Sequence, residues 1–202
     1  MRNNYHYIIT GLPQLVLENR SKTVSYEKMR DTILESASDS DRVLVKWLEF
    51  GSDAKNLSTH FYYASLKCKN RFIRDYFRMD LLIRNYKVEY MSAKSQSDAS
   101  RYCIYPSNFN KLEEDALLEG ELEPIFATPD ILKKEEMLDD LKWSKLNDMA
   151  PYGEFSIDVI LVFLAKLMLI DRWNKLDAER GARLFKQLVD EVKGTYKAQQ
   201  AV

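Results

Sequence analysis

Residues 59–94 constrain this chain most. Across them Cys68, Phe72, Tyr76, Met79, Ile83, Tyr86 and Tyr90 follow one another at spacings of 4, 4, 3, 4, 3 and 4, with no Gly or Pro in between. That period places all seven on one face of a helix. A helix of some 30 residues would be about 45 Å long at 1.5 Å per residue. The pattern therefore predicts a rod or an α-hairpin arm rather than a strand-rich fold. The composition agrees, because 202 residues contain only 6 Gly and 5 Pro, too few for the many corners of a β-sandwich or barrel. With 46% hydrophobic and 30% charged residues, the chain can bury a core and is not generically disordered. The expected class is all-α: an elongated helical bundle with one long helix, and a single domain over residues 1–202.

The remaining segments read as helices of ordinary length. Tyr5, Tyr7 and Ile9 alternate like a strand, whereas Tyr5, Ile8, Ile9 and Leu12 recur like a helix. Pro13 would end that helix at Leu12, and a short helix is the favoured reading. Ser25 is placed to cap a helix carrying Tyr26, Met29, Ile33 and Ala37. The run Ser38-Asp39-Ser40-Asp41 holds a second cap, before an amphipathic helix with Val43, Leu44, Trp47 and Leu48 that Gly51 would stop. Residues 92–100 are small and polar, and 92–101 is where an internal connection is expected. Residues 113–123 form an acidic stretch, and Pro124 and Pro129 bracket a connection. Thr128 and Pro129 then suit the cap and first position of another helix, which Pro151-Tyr152-Gly153 breaks. Residues 155–173 are apolar nearly all round, with Ser156 as cap and Asp158 in the first turn, and predict the buried centre of the bundle. Only 12 residues, Lys166 among them, separate Asp158 from Asp171, too few to span a membrane. A final helix over 178–193 presents Leu184, Phe185, Leu188 and Val189.

Little in the chain points to catalysis. The start, Met1-Arg2-Asn3-Asn4, leads into no long apolar segment, so no secretory signal is expected, and two Cys fit a reducing cytosol. Cys68 and Cys103 are 35 residues apart and the only histidines are His6 and His60, which gives no zinc-ligand spacing. No Gly-rich phosphate loop and no nucleophile elbow is present, so no cofactor, metal or catalytic residue is expected. Adjacent acids such as Glu113-Glu114 and Asp139-Asp140 point to different helix faces and make no dyad by sequence alone.

Charge is distributed unevenly. Residues 1–101 carry 17 Lys and Arg against 12 Asp and Glu, whereas residues 111–140 carry 11 acids against three lysines. Lys67, Arg71, Arg74 and Arg78, spaced 4, 3 and 4, form a basic stripe on one helix face and are the candidate partner-docking residues. Asp75 shares that face and can pair with Arg71 or Arg78. The stripe can also be read as a salt-bridged solvated face. With nearby aromatics it could instead hold single-stranded nucleic acid, which the sequence pI near 6.2 disfavours. Asp80 and Asn85, polar within a largely apolar stretch, either tie this helix to a neighbour or face water.

Three segments carry a family resemblance. The opening Tyr5-His6-Tyr7-Ile8-Ile9-Thr10-Gly11-Leu12-Pro13-Gln14-Leu15 is one, and Asp80-Leu81-Leu82-Ile83-Arg84-Asn85 another. The third is Phe155-Ser156-Ile157-Asp158 with Leu164-Ala165-Lys166-Leu167, Arg172-Trp173-Asn174-Lys175-Leu176-Asp177, Gly181 and Phe185. Together they resemble a bacterial family of unknown function encoded within V-type (archaeal-type) ATPase operons. That family is in turn similar to the V-type ATPase component lettered C, or d in eukaryotes, an all-helical funnel between central stalk and membrane ring. Asp80 and Asn85 resemble an Asp…Asn-Leu pattern of the funnel's repeats, with Tyr86 in place of the Leu. The chain is shorter than a full funnel protein of that kind and shows no internal repeat, which implies a truncated version of it. The resemblance implies a non-catalytic structural subunit that serves ion or proton transport. Its partners would be the stalk and ring subunits, and it would lie in the cytoplasm, peripheral on the inner membrane. The alternatives are a helical adaptor or assembly factor of that complex, or an RNA-binding helical protein.

Overall fold

The computed structural model describes residues 5–17, 24–151 and 155–175, with Gly181 and Val189 as isolated helical positions. Among these it is all-helical. Eight α-helices follow in order: α1 His6–Thr10, α2 Tyr26–Ser36, α3 Asp39–Ser52, α4 Thr59–Leu66, α5 Arg71–Ser95, α6 Glu113–Ala127, α7 Ile131–Met149 and α8 Ile157–Lys175. Short 3₁₀ turns at Ala54–Asn56 and Ala99–Arg101 join α3 to α4 and α5 to α6. The expected final helix over 178–193 lies, but for Gly181 and Val189, outside the described residues.

Side-chain caps set most of the helix starts, because the first N–H groups of a helix lack partners within it. Ser25 Oγ accepts from Lys28 N at 3.4 Å and Ser38 Oγ from Asp41 N at 3.3 Å, as the sequence predicts. Ser58 Oγ accepts from Phe61 N at 3.2 Å.

Of the two readings of 59–94, the hairpin and not the single rod is found: the segment is two helices, α4 and α5. Asn70 Oδ1 accepts from Ile73 N at 2.9 Å and starts α5 afresh after a turn at residues 67–70. No Gly or Pro marks this break; a capping side chain does. α4 folds back against α5, which is 25 residues and about 37 Å long. Nor does α5 stand free as a rod. Besides α4, it packs against α3, α6, α7 and α8. Phe72, Ile73, Phe77, Leu81 and Leu82 are all buried along it.

Other sequence expectations shift in register. Gly51 does not stop α3 but lies buried inside it, where an added Cβ would stand 2.2 Å from Phe77 Cε1 and 2.7 Å from Phe61 Cζ. Pro124 lies within α6, and the cap of α7 is Asp130, whose Oδ1 accepts from Leu132 N at 2.9 Å and Lys133 N at 3.2 Å. Thr128 closes α6 by donating its hydroxyl to Pro124 O at 3.0 Å. Ser156 precedes α8, yet its Oγ is buried without a hydrogen bond, so its side chain does not cap. The connection expected at 92–101 begins later, because α5 runs to Ser95 and ends on Gln96 in the left-handed conformation, φ 53°.

Two apolar clusters result. The larger gathers α1 to α4, the first half of α5, and α8, whose Ile160, Leu161, Leu164 and Leu167 are wholly enclosed. α8 thus occupies the bundle centre, as its all-round apolarity predicts. The smaller gathers the second half of α5 with α6 and α7 around Leu122. Tyr76, Phe109 and Met149 touch both. Tyr5 anchors the first described segment. Its N–H donates to Phe155 O at 2.8 Å and its hydroxyl to Asp41 Oδ2 at 2.5 Å, tying α1 to the starts of α3 and α8.

Candidate functional site

The four residues of the basic stripe are placed differently from one another. Lys67 belongs to the end of α4, not to α5, and its ammonium lies on the Tyr63 ring at 4.2 Å and donates to the Tyr63 hydroxyl. Arg71 opens α5, with 82% of its side chain exposed, and pairs with Asp75 at 3.2 Å. Arg74 turns back to donate to Cys68 O at 3.0 Å and Lys69 O at 3.3 Å, closing the turn between α4 and α5. Arg78 is only 19% exposed. It meets Asp115 at 2.5 Å, donates to Asn110 O at 2.6 Å and lies 4.9 Å from the Phe109 ring centre. Asp75 therefore pairs with Arg71, as expected, but Arg78 is taken by an acid 37 residues away. Of the four, Lys67 and Arg71 remain exposed. Arg74 and Arg78 hold the fold together.

Asp80 and Asn85 both tie α5 to its neighbours. Tyr62 donates its hydroxyl to Asp80 Oδ2 at 2.5 Å, and Arg84 Nε lies 3.0 Å from the same oxygen. Burial pushes the Tyr62 hydroxyl well above the ordinary tyrosine range, and the charge of Asp80 adds to the shift. Tyr76 is raised too, again first by burial. Asn85 grips the returning chain, its Nδ2 donating to Ile104 O at 2.8 Å while its Oδ1 accepts from Ile104 N at 2.9 Å. Asn70 Nδ2 reaches Asp158 Oδ1 at 2.5 Å and links α5 to α8. Asp139, 1% exposed, receives Trp173 Nε1 at 2.7 Å and the Arg172 guanidinium, and so joins α7 to α8. Asp80, Asn70 and Asp139 thus link one helix to another, and Asn85 links α5 to the segment that leads to α6. Such hydrogen bonds stiffen a helical bundle.

A hollow of about 470 Å³ lies beside the stripe, lined by Arg71, Asp75, Arg78 and Asp115 among others, and two of similar size lie elsewhere among the described residues. One, of about 530 Å³, lies between α2, α3, α5, α7 and α8. Its charges are largely matched: Arg30 with Glu49 at 3.2 Å, Arg84 with Asp80 at 3.0 Å and Lys175 with Asp171 at 2.6 Å. The other, of about 480 Å³, is an apolar groove between α3 and α4. Its walls are Val43, Trp47 and Phe50 of α3, and Phe61 and Ala64 of α4. The sequence pattern assigns Val43 to the core stripe of α3, but the inward residues are Val45, Leu48 and Gly51, and Val43 is 50% exposed. α3 is apolar on two faces, and that doubling is the signal that could have revealed the groove.

Among the described residues, no group of three or more His, Cys, Asp and Glu side chains could hold a metal ion, and no helix is long and apolar enough to cross a membrane. Cys68 and Cys103 are free thiols, and burial raises the Cys103 pKa. Residues 106–195, 90 of the 202, match the family described as Protein of unknown function (DUF2764). No curated protein and no solved structure matches the chain.

Proposed function

We propose that this chain is a non-catalytic structural component of a V-type ATPase, standing in the place of the helical funnel and coupling the central stalk to the membrane ring. Its partners are then the stalk and ring subunits, and it is peripheral on the inner membrane through them. One observation carries the mechanical part of this reading: interior polar groups are spent on helix-to-helix ties. Tyr62–Asp80–Arg84 joins α4 to α5, Asn70–Asp158 joins α5 to α8, and Asp139 joins α7 to α8. A body that passes torque must resist helix sliding, and hydrogen bonds between helices oppose sliding more directionally than apolar contact does. The attachment to this particular complex rests on the resemblance of the opening, of residues 80–85 and of residues 155–185.

The test is purification of the intact ATPase from the host with this chain tagged. The expected result is the chain at fixed stoichiometry with stalk and ring subunits, and loss of coupling between ATP hydrolysis and ion transport on its deletion. Substoichiometric recovery confined to partly assembled complexes would make it an assembly factor instead. Failure to recover any ATPase component would overturn the reading.

A further inference from the structure

We infer that the groove between α3 and α4 is a docking site for an amphipathic helix with acidic flanks, supplied by another protein. The inference stands independently of the ATPase reading, since it concerns the chemistry of the bound segment and not the complex it belongs to.

The groove is built in before any partner arrives. Phe61 lies at its base, 6% exposed, with its ring centre 4.8 Å from Phe77 and 5.6 Å from both Trp47 and Phe50. Gly51 permits this, because any Cβ there would collide with Phe77 and Phe61. Asn56 Nδ2 donates to Phe50 O at 3.0 Å and fixes the connecting loop against the end of α3. The aromatic walls are therefore held from behind.

The walls are also open to water. Phe50 is 52% and Val43 50% exposed. Val43, Trp47 and Phe50 follow one another at spacings of 4 and 3 residues along two turns of α3, about 10 Å. An adjoining row of exposed apolar side chains between two helices marks an interaction surface. Its shape and length suit the apolar face of a partner helix, contacting through positions i, i+3 or i+4, and i+7.

Charge selects among such helices. Among the described residues, the ionisable side chains lining the groove are Lys46 and His60, with no acid beside them. Lys46 is exposed and makes no ion pair among the described residues. Other exposed lysines, such as Lys28, Lys69 and Lys87, are likewise without an ion pair among the described residues, but of these lysines Lys46 is the one that lines the apolar groove. A cation left open at the edge of an apolar groove favours a partner whose flanks are acidic and repels a basic one.

The experiment places a photocrosslinker in the groove of the full chain, as Phe50→p-benzoylphenylalanine, expressed and illuminated in the host. The crosslinked peptide is then sequenced. The expected adduct comes from another protein, in a segment with helical apolar spacing and a net negative charge. Adding Lys46→Glu should lower the yield about fivefold, the scale of one exposed charge pair. Lys87→Glu, an exposed position on α5, should leave it unchanged. Absence of an adduct, an adduct to a second copy of this chain, or a basic or non-helical target segment would overturn the inference. So would a yield indifferent to Lys46→Glu. If the Phe50 variant does not fold, Val43→p-benzoylphenylalanine on the same wall carries the test with the same outcomes.

Discussion

The two apolar clusters are built by different means, although α5 runs through both. Among the described residues, the larger holds nineteen buried apolar residues, many of them wholly enclosed and seven of them aromatic, whereas the smaller holds eight, of which Leu122 alone is fully enclosed. What the smaller lacks in burial, ion pairs partly replace. Arg78–Asp115 at 2.5 Å, Lys111–Glu119 at 2.6 Å and Lys145–Glu121 at 2.7 Å all end on α6. The acidic excess of residues 111–140 thus serves in part to fasten α6 to its surroundings. Apolar burial is little affected by moderate salt and contributes in proportion to area, while pairs open to water contribute roughly 0–1 kcal/mol each and are screened. The region around α6 should therefore open at lower cost than the region around α8.

The largest expected effect contrasts two leucines. Leu164 and Leu122 are both fully buried, one in each cluster. Leu164→Ala should lower global stability by about 2–5 kcal/mol. Leu122→Ala removes the same atoms, but from a site where fewer buried neighbours are at stake. It should act near the lower end of that range and chiefly speed hydrogen exchange in α6. Urea denaturation with site-resolved exchange reads both. Equal loss of the global midpoint in the two variants would abolish the distinction between the clusters.

Next come the fastenings themselves. Asp115 is buried, and besides Arg78 it accepts from Leu112 N at 2.7 Å, so Asp115→Ala strands a largely buried guanidinium and the start of α6. A cost of roughly 1–3 kcal/mol is expected, seen first as lost protection in α6. Gly51→Ala should cost a similar amount, about 1–3 kcal/mol, through overpacking against Phe77 and Phe61. Its loss should register as a fall in the melting temperature of the whole molecule.

The larger cluster should also respond to alkali. Tyr62 has its hydroxyl pKa raised from the ordinary 10.0 by burial and by Asp80. Above pH 10 the unfolded chain releases that proton while the folded chain keeps it. The folded state then binds more protons, and stability falls as pH rises, by up to about 1.4 kcal/mol per pH unit for one such group. Below pH 10 the group contributes no slope. Tyr62→Phe should flatten the decline between pH 10 and pH 11 in urea titrations, and an unchanged slope would remove Tyr62 from this account.

Much of this architecture is legible in the residues, and the failures share a cause. Scarce Gly and Pro together with helical spacing give the all-α class, and Ser25 and Ser38 are readable as caps because a polar residue precedes an apolar period. The break at residues 67–70 is not readable, since the period of apolar residues passes across it unbroken and Asn70 is an inconspicuous cap. The start of α7 is misplaced for a related reason: Thr128, Pro129 and Asp130 are all acceptable at a helix start, and tertiary packing chooses among them. For the candidate site, the basic spacing of Arg71, Arg74 and Arg78 is real, but spacing shows only which face a residue shares. The acceptors of Arg78, Asp115 and the carbonyl of Asn110, arrive from 37 and 32 residues away, and no local pattern announces them. Reversing Arg74 and Arg78 to Glu would consequently damage the fold and could not serve as a clean test of docking.

The smallest expected effect has the opposite sign and isolates the smaller cluster. Gly120 lies in α6, exposed, and an added Cβ would meet nothing within 4 Å. Its backbone is helical, so alanine fits without strain, unlike at Gly51. Glycine within a helix loses more conformational freedom on folding than alanine, and Gly120→Ala should stabilise by about 0.5–1 kcal/mol. The consequence depends on how the two clusters are coupled. If α6 opens on its own, the gain appears as a two- to fivefold slowing of exchange at amides of α6, about the factor that free energy implies. Amides of α8 and the global midpoint then stay where they were. If instead α6 opens only when the whole molecule unfolds, the same substitution raises the protection of α8 and the melting temperature together. The first result would mark α6 as a separately opening unit fastened largely by charge. The second would show that the shared contacts at Tyr76, Phe109 and Met149 weld the two clusters into one cooperative body, as a rigid coupling element requires.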